Sequence, residues 1–252
     1  MSSMDDATAR ELTRLNARFY KAQAASFSKT RGGGWAGWLC CLEHLGADTE
    51  TPLRVLDVAA GNLRFERFLL RERPQQRFEF RAIDSCRELM LADAAFVQDA
   101  GVRCSERDLL ASGLGAVEPA DFVACFGFMH HVPGMRRRCE LLHEMLEATV
   151  PGGLLAVSFW EFMKSPELAD AARAGKPAAL TATGIDEAAL DEGDYLLGWD
   201  ARPGTYRYCH SFTAAEVDAL EAIAHAAGAH TVARFCADGR GGELNEYLLL
   251  SR

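Results

Sequence analysis

The sequence predicts an α/β fold, a doubly wound Rossmann-like sheet, on three observations. From Pro52 to Trp160 short apolar runs alternate with amphipathic stretches, β then α. Residues 121–126 show no polar alternation, as a strand buried on both faces requires. Two strand-like runs then close the chain across the glycine-rich turn Asp238-Gly-Arg-Gly-Gly242, as a hairpin allows.

The elements follow in order. Residues 5–28 form a helix, with Leu12, Leu15, Phe19 and Ala22 on one face and Arg10, Arg14 and Arg18 on another. Gly32-Gly-Gly34 breaks it, and a second apolar helix runs over 35–45. Strands are expected at 53–58, 78–84, 102–107, 121–126 and 154–160. Helices lie between them at 63–73, stopped by Pro74, at 86–97 and at 134–149. Residues 161–205 break the rhythm and read as a lid or mobile loop. A helix over 213–227 carries the capping-box pair Thr213 and Glu216, and strands at 229–236 and 244–250 end the chain. The result is one domain: a helical cap (1–50), a ligand-binding core (53–160), the insertion (161–205), and a C-terminal helix with its hairpin (206–252).

Composition narrows the function. The chain has 252 residues, 49% hydrophobic and 25% charged, which fits one globular domain and excludes a wholly disordered chain. There are 36 acidic and 27 basic residues, a net charge of −9. The pI of about 5.3 argues against a strongly basic nucleic-acid module. RNA stays open as a substrate, since a local basic patch or a partner can supply affinity. The eight cysteines form no Cys-x-x-Cys pair and no zinc-ligand spacing, so they read as reduced core residues and no metal site is expected. The polar N-terminus does not resemble a signal peptide, and no apolar run approaches the ~20 residues of a membrane helix. A cytoplasmic location is expected.

The chemistry concentrates at strand ends, where open α/β sheets bind ligands. In Val55-Leu-Asp-Val-Ala-Ala-Gly-Asn62, Asp57 precedes a small-residue turn, Ala59, Ala60 and Gly61, that lets backbone approach a ligand. Asp84, with Ser85, ends the next strand and suits the two hydroxyls of a ribose. Asp108 and Leu109 follow the third strand and suit an adenine amino group. Cys125, Phe126 and Gly127 after the fourth strand line the same place, followed by His130 and His131. One acid after a strand is often a helix cap. Three acids after three successive strands point to a nucleoside.

This series, with Pro151-Gly-Gly153, resembles the class I S-adenosyl-L-methionine-dependent methyltransferases over residues 53–160. The resemblance implies a seven-stranded sheet with an antiparallel last strand, and S-adenosyl-L-methionine as cofactor, leaving S-adenosyl-L-homocysteine. The family's glycine-x-glycine-x-glycine turn reads here Ala59-Ala-Gly61-Asn-Leu63. Alanine at 59 is a modest change where φ stays below zero, and Leu63 is expected simply to start the helix.

Further motifs are similar to the tRNA wobble-uridine carboxymethyl methyltransferases: Tyr20-x₆-Phe27-Ser-Lys-Thr-Arg31-x₃-Trp35, the His130-His131 pair, and Arg207-Tyr-Cys-His-Ser-Phe-Thr213 with Glu216. That resemblance implies methyl transfer to the carboxylate of 5-carboxymethyluridine, often with a small activating subunit. Such a carboxylate is ionised at neutral pH and needs no general base. Arg207 and His210 would orient it, Tyr208 would stack on the base, and Tyr20 and Arg31 would cover the cofactor's methionine carboxylate. Arg64, Arg67 and Arg71 on one helical face, or Arg136-Arg-Arg138, would touch phosphates. The net negative charge favours instead a small-molecule acceptor with residues 161–205 as its lid. A nicotinamide dehydrogenase is disfavoured because no Gly-x-Gly-x-x-Gly follows the first strand. The altered glycine turn also leaves open a catalytically inactive scaffold.

Overall fold

Burial deepens along the first strand, β1, which sets where the ligand crevice opens. A computed structural model describes residues 4–29, 33–46, 50–199 and 204–252, with the backbone alone for 24–29. Helices α1 (Asp6–Lys29) and α2 (Ala36–Glu43) precede the sheet. Then come β1 (Leu53–Val58), α3 (Arg64–Glu72), β2 (Phe78–Asp84), α4 (Arg87–Met90), α5 (Ala94–Asp99), β3 (Arg103–Glu106), α6 (Leu109–Ser112) and β4 (Ala120–Cys125). The chain continues through α7 (Met135–Glu147), β5 (Thr149–Trp160), α8 (Pro166–Thr183), β6 (Asp194–Gly198), β7 (Tyr206–His210), α9 (Ala214–Ala226), β8 (His230–Ala237) and β9 (Asn245–Ser251).

Seven strands form one sheet in the order β3-β2-β1-β4-β5-β9-β8. β1 pairs in parallel with both β2 and β4, and β9 runs antiparallel to β5 and β8. The strand order therefore reverses at β1, which leaves a crevice outside the carboxyl ends of β1 and β4. The period of two in each strand builds two cores. Leu56, Val58, Val123 and Cys125 face α7 and α9, while Val55, Phe122 and Ala124 face α2 and α3. On the second face Trp38 meets Phe65 and Phe68 edge-to-face and Phe126 tilted, while Phe65 meets Phe126 edge-to-face and stacks on Phe68.

Two sequence expectations change. The helix expected over 86–97 is two short helices, because Asp93 caps α5 by accepting from the Phe96 N–H at 3.1 Å. The insertion, expected as a loop, carries the 18-residue helix α8 and the ribbon β6–β7. Alanine supplies both helix propensity and a thin packing face there: Ala169, Ala172 and Ala179 are buried. Ala179, Ile185 and Leu196 of the insertion pack with Leu12 of α1 and Tyr208 of β7. The insertion and α1 thus form one cap with its own core. Among the described residues, no helix is long and apolar enough to cross a membrane. All eight cysteines are free thiols.

Candidate active site

The turn after β1 is held open by strain and by β2. The Ala59 and Ala60 N–H groups both donate to the Ile83 carbonyl, at 2.8 and 3.1 Å. Ala59, Gly61 and Leu63 have φ of 63°, 59° and 58°. All three alternate positions are left-handed, although two carry side chains. The condition under which alanine at 59 is a modest change, a negative φ, is not met: the backbone keeps the glycine-type turn, and each non-glycine residue there stores roughly 1–2 kcal/mol. Leu63 does precede α3, but as a left-handed cap whose side chain is buried.

Three acids gather below this turn. Asp84 accepts from the Gly61 N–H at 2.9 Å and from the Cys86 N–H at 2.8 Å. Burial raises its pKa, against the lowering effect of those backbone bonds. Asp57 is pushed up to about 8 by burial and by Asp84, and Arg64 offsets part of this. Glu66 was not expected from the sequence. It is wholly buried, neither of its oxygens has a hydrogen-bond partner, and burial with nearby Asp57 raises it well above the carboxylate range. Acids this crowded favour a cation beside them.

The cleft above them encloses about 1090 Å³, open solvent at its mouth included. Its walls bring together Tyr20, Asp57, Ala59, Ala60, Gly61, Asp84, Ser85, Asp108, Leu109, Phe126 and Gly127. Asp108 also caps α6, its Oδ1 accepting from the Leu110 and Ala111 N–H groups at 3.0 and 3.1 Å. Gly127 has φ of 69°, and a Cβ there would lie 2.9 Å from Trp35. The Arg64 guanidinium lies over the Trp35 and Trp38 rings, about 5 Å from each. Cys125 is corrected: it sits in the α7 face of the core, wholly buried and off the cleft. Arg31 lies outside the described residues.

The wall opposite the sheet is α1, with Thr13, Asn16 and Ala17 beside Tyr20. His131 completes it, and His130 does not reach it. Of the histidine pair, the short turn Met129–His131 presents the second to the cleft. Tyr20 Oη and His131 Nε2 are 2.6 Å apart, and His131 Nδ1 is 2.9 Å from the Tyr208 carbonyl oxygen. Asn16 Nδ2 donates to that carbonyl at 3.2 Å, and Asn16 Oδ1 accepts from the Tyr208 N–H at 2.7 Å. Asn16 carried no sequence signal, since one polar residue on a helix has many uses.

The other predicted catalytic residues lie behind this wall. Tyr208 and His210 are wholly buried. The Tyr208 hydroxyl and His210 Nδ1 both donate to Asp194 Oδ1 at 2.7 Å. His210 Nε2 is 2.9 Å from Glu216 Oε1, and Arg138 lies 3.8 and 3.7 Å from Asp194 and Glu216. Burial would raise Glu216, but bonds from His210 and Thr213 outweigh it and hold its pKa at about 2. Stacking of Tyr208 on a base and direct carboxylate contact by His210 are therefore corrected to a network joining α7, β6, β7 and α9. Arg207 is buried, its guanidinium over Phe19 and Trp199 and its Nε 3.4 Å from Cys209 Sγ. The ligand atoms of His130, His131 and Cys209 lie within 4.8 Å of one another. The adjacent Arg207 cation opposes a divalent ion there.

No protein-family profile and no curated protein matches the chain by sequence. Solved structures do share its fold. An S-adenosylmethionine-dependent methyltransferase from Methanosarcina mazei aligns with TM-score 0.61 and 15% identity, over 84% of this chain and 96% of that one. The 1,6-didemethyltoxoflavin-N1-methyltransferase of Burkholderia thailandensis, with bound 1,6-didemethyltoxoflavin and S-adenosylhomocysteine, aligns with TM-score 0.61 and 18% identity, over 97% and 89%. Magnesium protoporphyrin IX methyltransferase from Synechocystis, with bound cofactor, aligns with TM-score 0.51 and 10% identity, over 100% and 86%. With its seven-stranded sheet and antiparallel β9, this chain has the fold of the class I S-adenosylmethionine-dependent methyltransferases.

Proposed function

We propose that the chain binds S-adenosyl-L-methionine in the cleft and methylates a small-molecule acceptor. The observation that carries this is the pairing of Asp84 with Gly61 at the switch point of the sheet. An acid there, held by backbone N–H groups, is placed to accept from ribose hydroxyls, with Asp108 and Leu109 beside the adenine. Asp57, on the cleft wall with Glu66 buried behind it, suits the positive sulfonium. Bound there, the cofactor supplies an electrophilic methyl group on sulfur.

The acceptor class follows from space and charge. The cleft is a bounded pocket between the strand ends and α1, a concave site of the kind that takes small molecules. One structural neighbour is a 1,6-didemethyltoxoflavin-N1-methyltransferase, which acts on a small molecule. Of the motifs behind the wobble-uridine reading, and the activating subunit that goes with it, Tyr20 and His131 line the cleft, Arg31 lies outside the described residues, and Arg207, Tyr208 and His210 are buried off it. The phosphate-binding arginines of that reading are engaged as well. Arg136 pairs with Asp6 and Glu140, Arg137 with Glu140 and Glu144, and Arg67 with Asp93.

Calorimetric titration with S-adenosyl-L-methionine and S-adenosyl-L-homocysteine tests the reading. Saturable binding of both at one site is expected. A folded protein that takes up neither is an inactive scaffold, and the proposal fails.

A further inference from the structure

We infer that Tyr20 and His131 form a proton relay on the cleft wall, so the acceptor is an O–H or N–H group that must lose a proton, such as a phenol, an enol or a heteroaromatic N–H. This rests on the methyltransferase reading and names its acceptor class. His131 Nδ1 faces two groups, the Tyr208 carbonyl at 2.9 Å, which can only accept, and the Asn16 amide nitrogen at 3.4 Å; the closer contact assigns the hydrogen to Nδ1. In the neutral ring Nε2 is then the acceptor, and the Tyr20 hydroxyl at 2.6 Å donates to it. The ring cannot turn over without losing both bonds. Asn16 fixes the carbonyl through two hydrogen bonds to Tyr208, and is a positioning residue. The arrangement is a histidine base with one defined lone pair, reached through one hydroxyl that faces the cleft.

The step balances. The acceptor's proton passes to Tyr20 Oη as Tyr20 passes its own to His131 Nε2. The electron pair freed on the acceptor bonds the methyl carbon, and the carbon–sulfur bond breaks onto sulfur, leaving a neutral thioether. His131 ends as an imidazolium and returns the proton to solvent. Arg207 stands behind this wall, near enough that Cys209 and Tyr20 raise its pKa against the lowering effect of burial. Its charge favours phenolate character on Tyr20 as the proton moves. A carboxylate acceptor would use none of this, since it is ionised already.

Two measurements decide. Ring-nitrogen NMR on the ¹⁵N-histidine protein, with His131 assigned through His131→Gln, reads the tautomer on the free protein. It therefore answers whether or not the cofactor binds, and failed cofactor binding counts only against the methyltransferase reading. Expected is a neutral ring near neutral pH, with Nδ1 protonated and Nε2 bare. Tyr20→Phe, a conservative change, should shift Nε2 alone. An Nε2-protonated tautomer, or an imidazolium near neutral pH, overturns the relay.

Methyl transfer from labelled S-adenosyl-L-methionine is then measured to phenol, 4-nitrophenol, lumazine and benzoate. Tyr20→Phe and His131→Gln should slow transfer to phenol or lumazine by about 10²-fold at saturating cofactor, the scale of general-base catalysis. The loss should shrink for 4-nitrophenol above its own pKa, where no proton remains to be removed. A merely structural role would not produce that dependence. Transfer to benzoate alone, or equal losses on every acceptor, overturns the proposal. Where no probe is methylated, the tautomer alone decides.

Discussion

Two clusters of buried ionisable groups stand on either side of the α1 wall, and they are built oppositely. In the cleft, Asp57, Glu66 and Asp84 crowd one another, and burial pushes all three pKa values up. In the cap, Asp194 and Glu216 are matched by Arg138, His210 and the Tyr208 hydroxyl. The cap network satisfies its charges internally, so it needs no ligand and stabilises a fold. Beneath the cleft the acids face one another, so burial and mutual repulsion favour their protonated forms, and a bound cation would draw them toward ionisation. Burial and titratable chemistry are common to both clusters, so those features alone do not mark a site. The sign of the neighbours does.

The largest effect should come from the cap. Asp194→Ala removes the shared acceptor of Tyr208 and His210 and leaves Arg138 facing one carboxylate fewer. Breaking a buried pair from one side costs about 3–5 kcal/mol, so a large fall in the denaturation midpoint is expected. Affinity for S-adenosyl-L-methionine per folded molecule should hold. A variant of ordinary stability that has lost binding would erase the distinction between the clusters.

Asp84→Ala should do the reverse. Cofactor affinity should drop by about 1–3 kcal/mol, the cost of unpaired hydrogen-bonding groups, with stability little changed. Calorimetry showing wild-type affinity in the folded variant would strip Asp84 of its role.

The clusters should also answer pH in opposite directions. Glu216, held at about 2, contributes stability that is fully present above the ordinary carboxylate pKa near 4 and is lost as pH falls through 2. Asp57, pushed up to about 8, favours the fold when protonated. Its contribution is fully present below about 4 and is lost as pH rises through 8. The ligand-free protein should therefore lose stability between pH 5 and 8, and Asp57→Asn should flatten that slope. Equal slopes in both proteins would show that the cleft acids do not titrate as described.

The same contrast explains what was legible in the sequence. β1 and β2 match their predicted bounds, since each is a short run with apolar residues at alternate positions that ends in an acid or a small-residue turn. The strand-end residues converge on the cleft because parallel topology places every carboxyl end on one edge. The insertion's helix and ribbon are not legible in the sequence because their core is shared: Ala179 and Leu196 cluster with Leu12 of a helix far away in the sequence. A short window shows apolar residues only in patches there. Arg207, Tyr208 and His210 stand out in the sequence as polar residues in a motif, but the partners of Tyr208 and His210, Asp194 and Arg138, come from β6 and α7, and Arg207 lies over Phe19 of α1. Asn16 and Glu66 escaped notice for the same reason, since their roles depend on residues brought up by the fold. If the cap is core, hydrogen exchange should find β6 and β7 protected like the central strands. Rapid exchange of the ribbon would restore the mobile lid.

The smallest predicted effect concerns the turn itself. Ala59 holds φ at 63° with a Cβ in place, while the preceding strand and the Ile83 carbonyl leave it no alternative. Ala59→Gly removes a strain of roughly 1–2 kcal/mol. It also gives the unfolded chain more freedom, which costs the fold roughly 0.4–1 kcal/mol. The net gain should be about 1 kcal/mol or less. Leu63 sits at φ 58° but is buried against Trp38, Phe65 and Phe68, so Leu63→Gly should lose packing worth several times the strain it relieves. Denaturant melts of the two variants should therefore move in opposite directions. If both are destabilised, position 59 carries no strain, and the alanine suits this turn as well as glycine does.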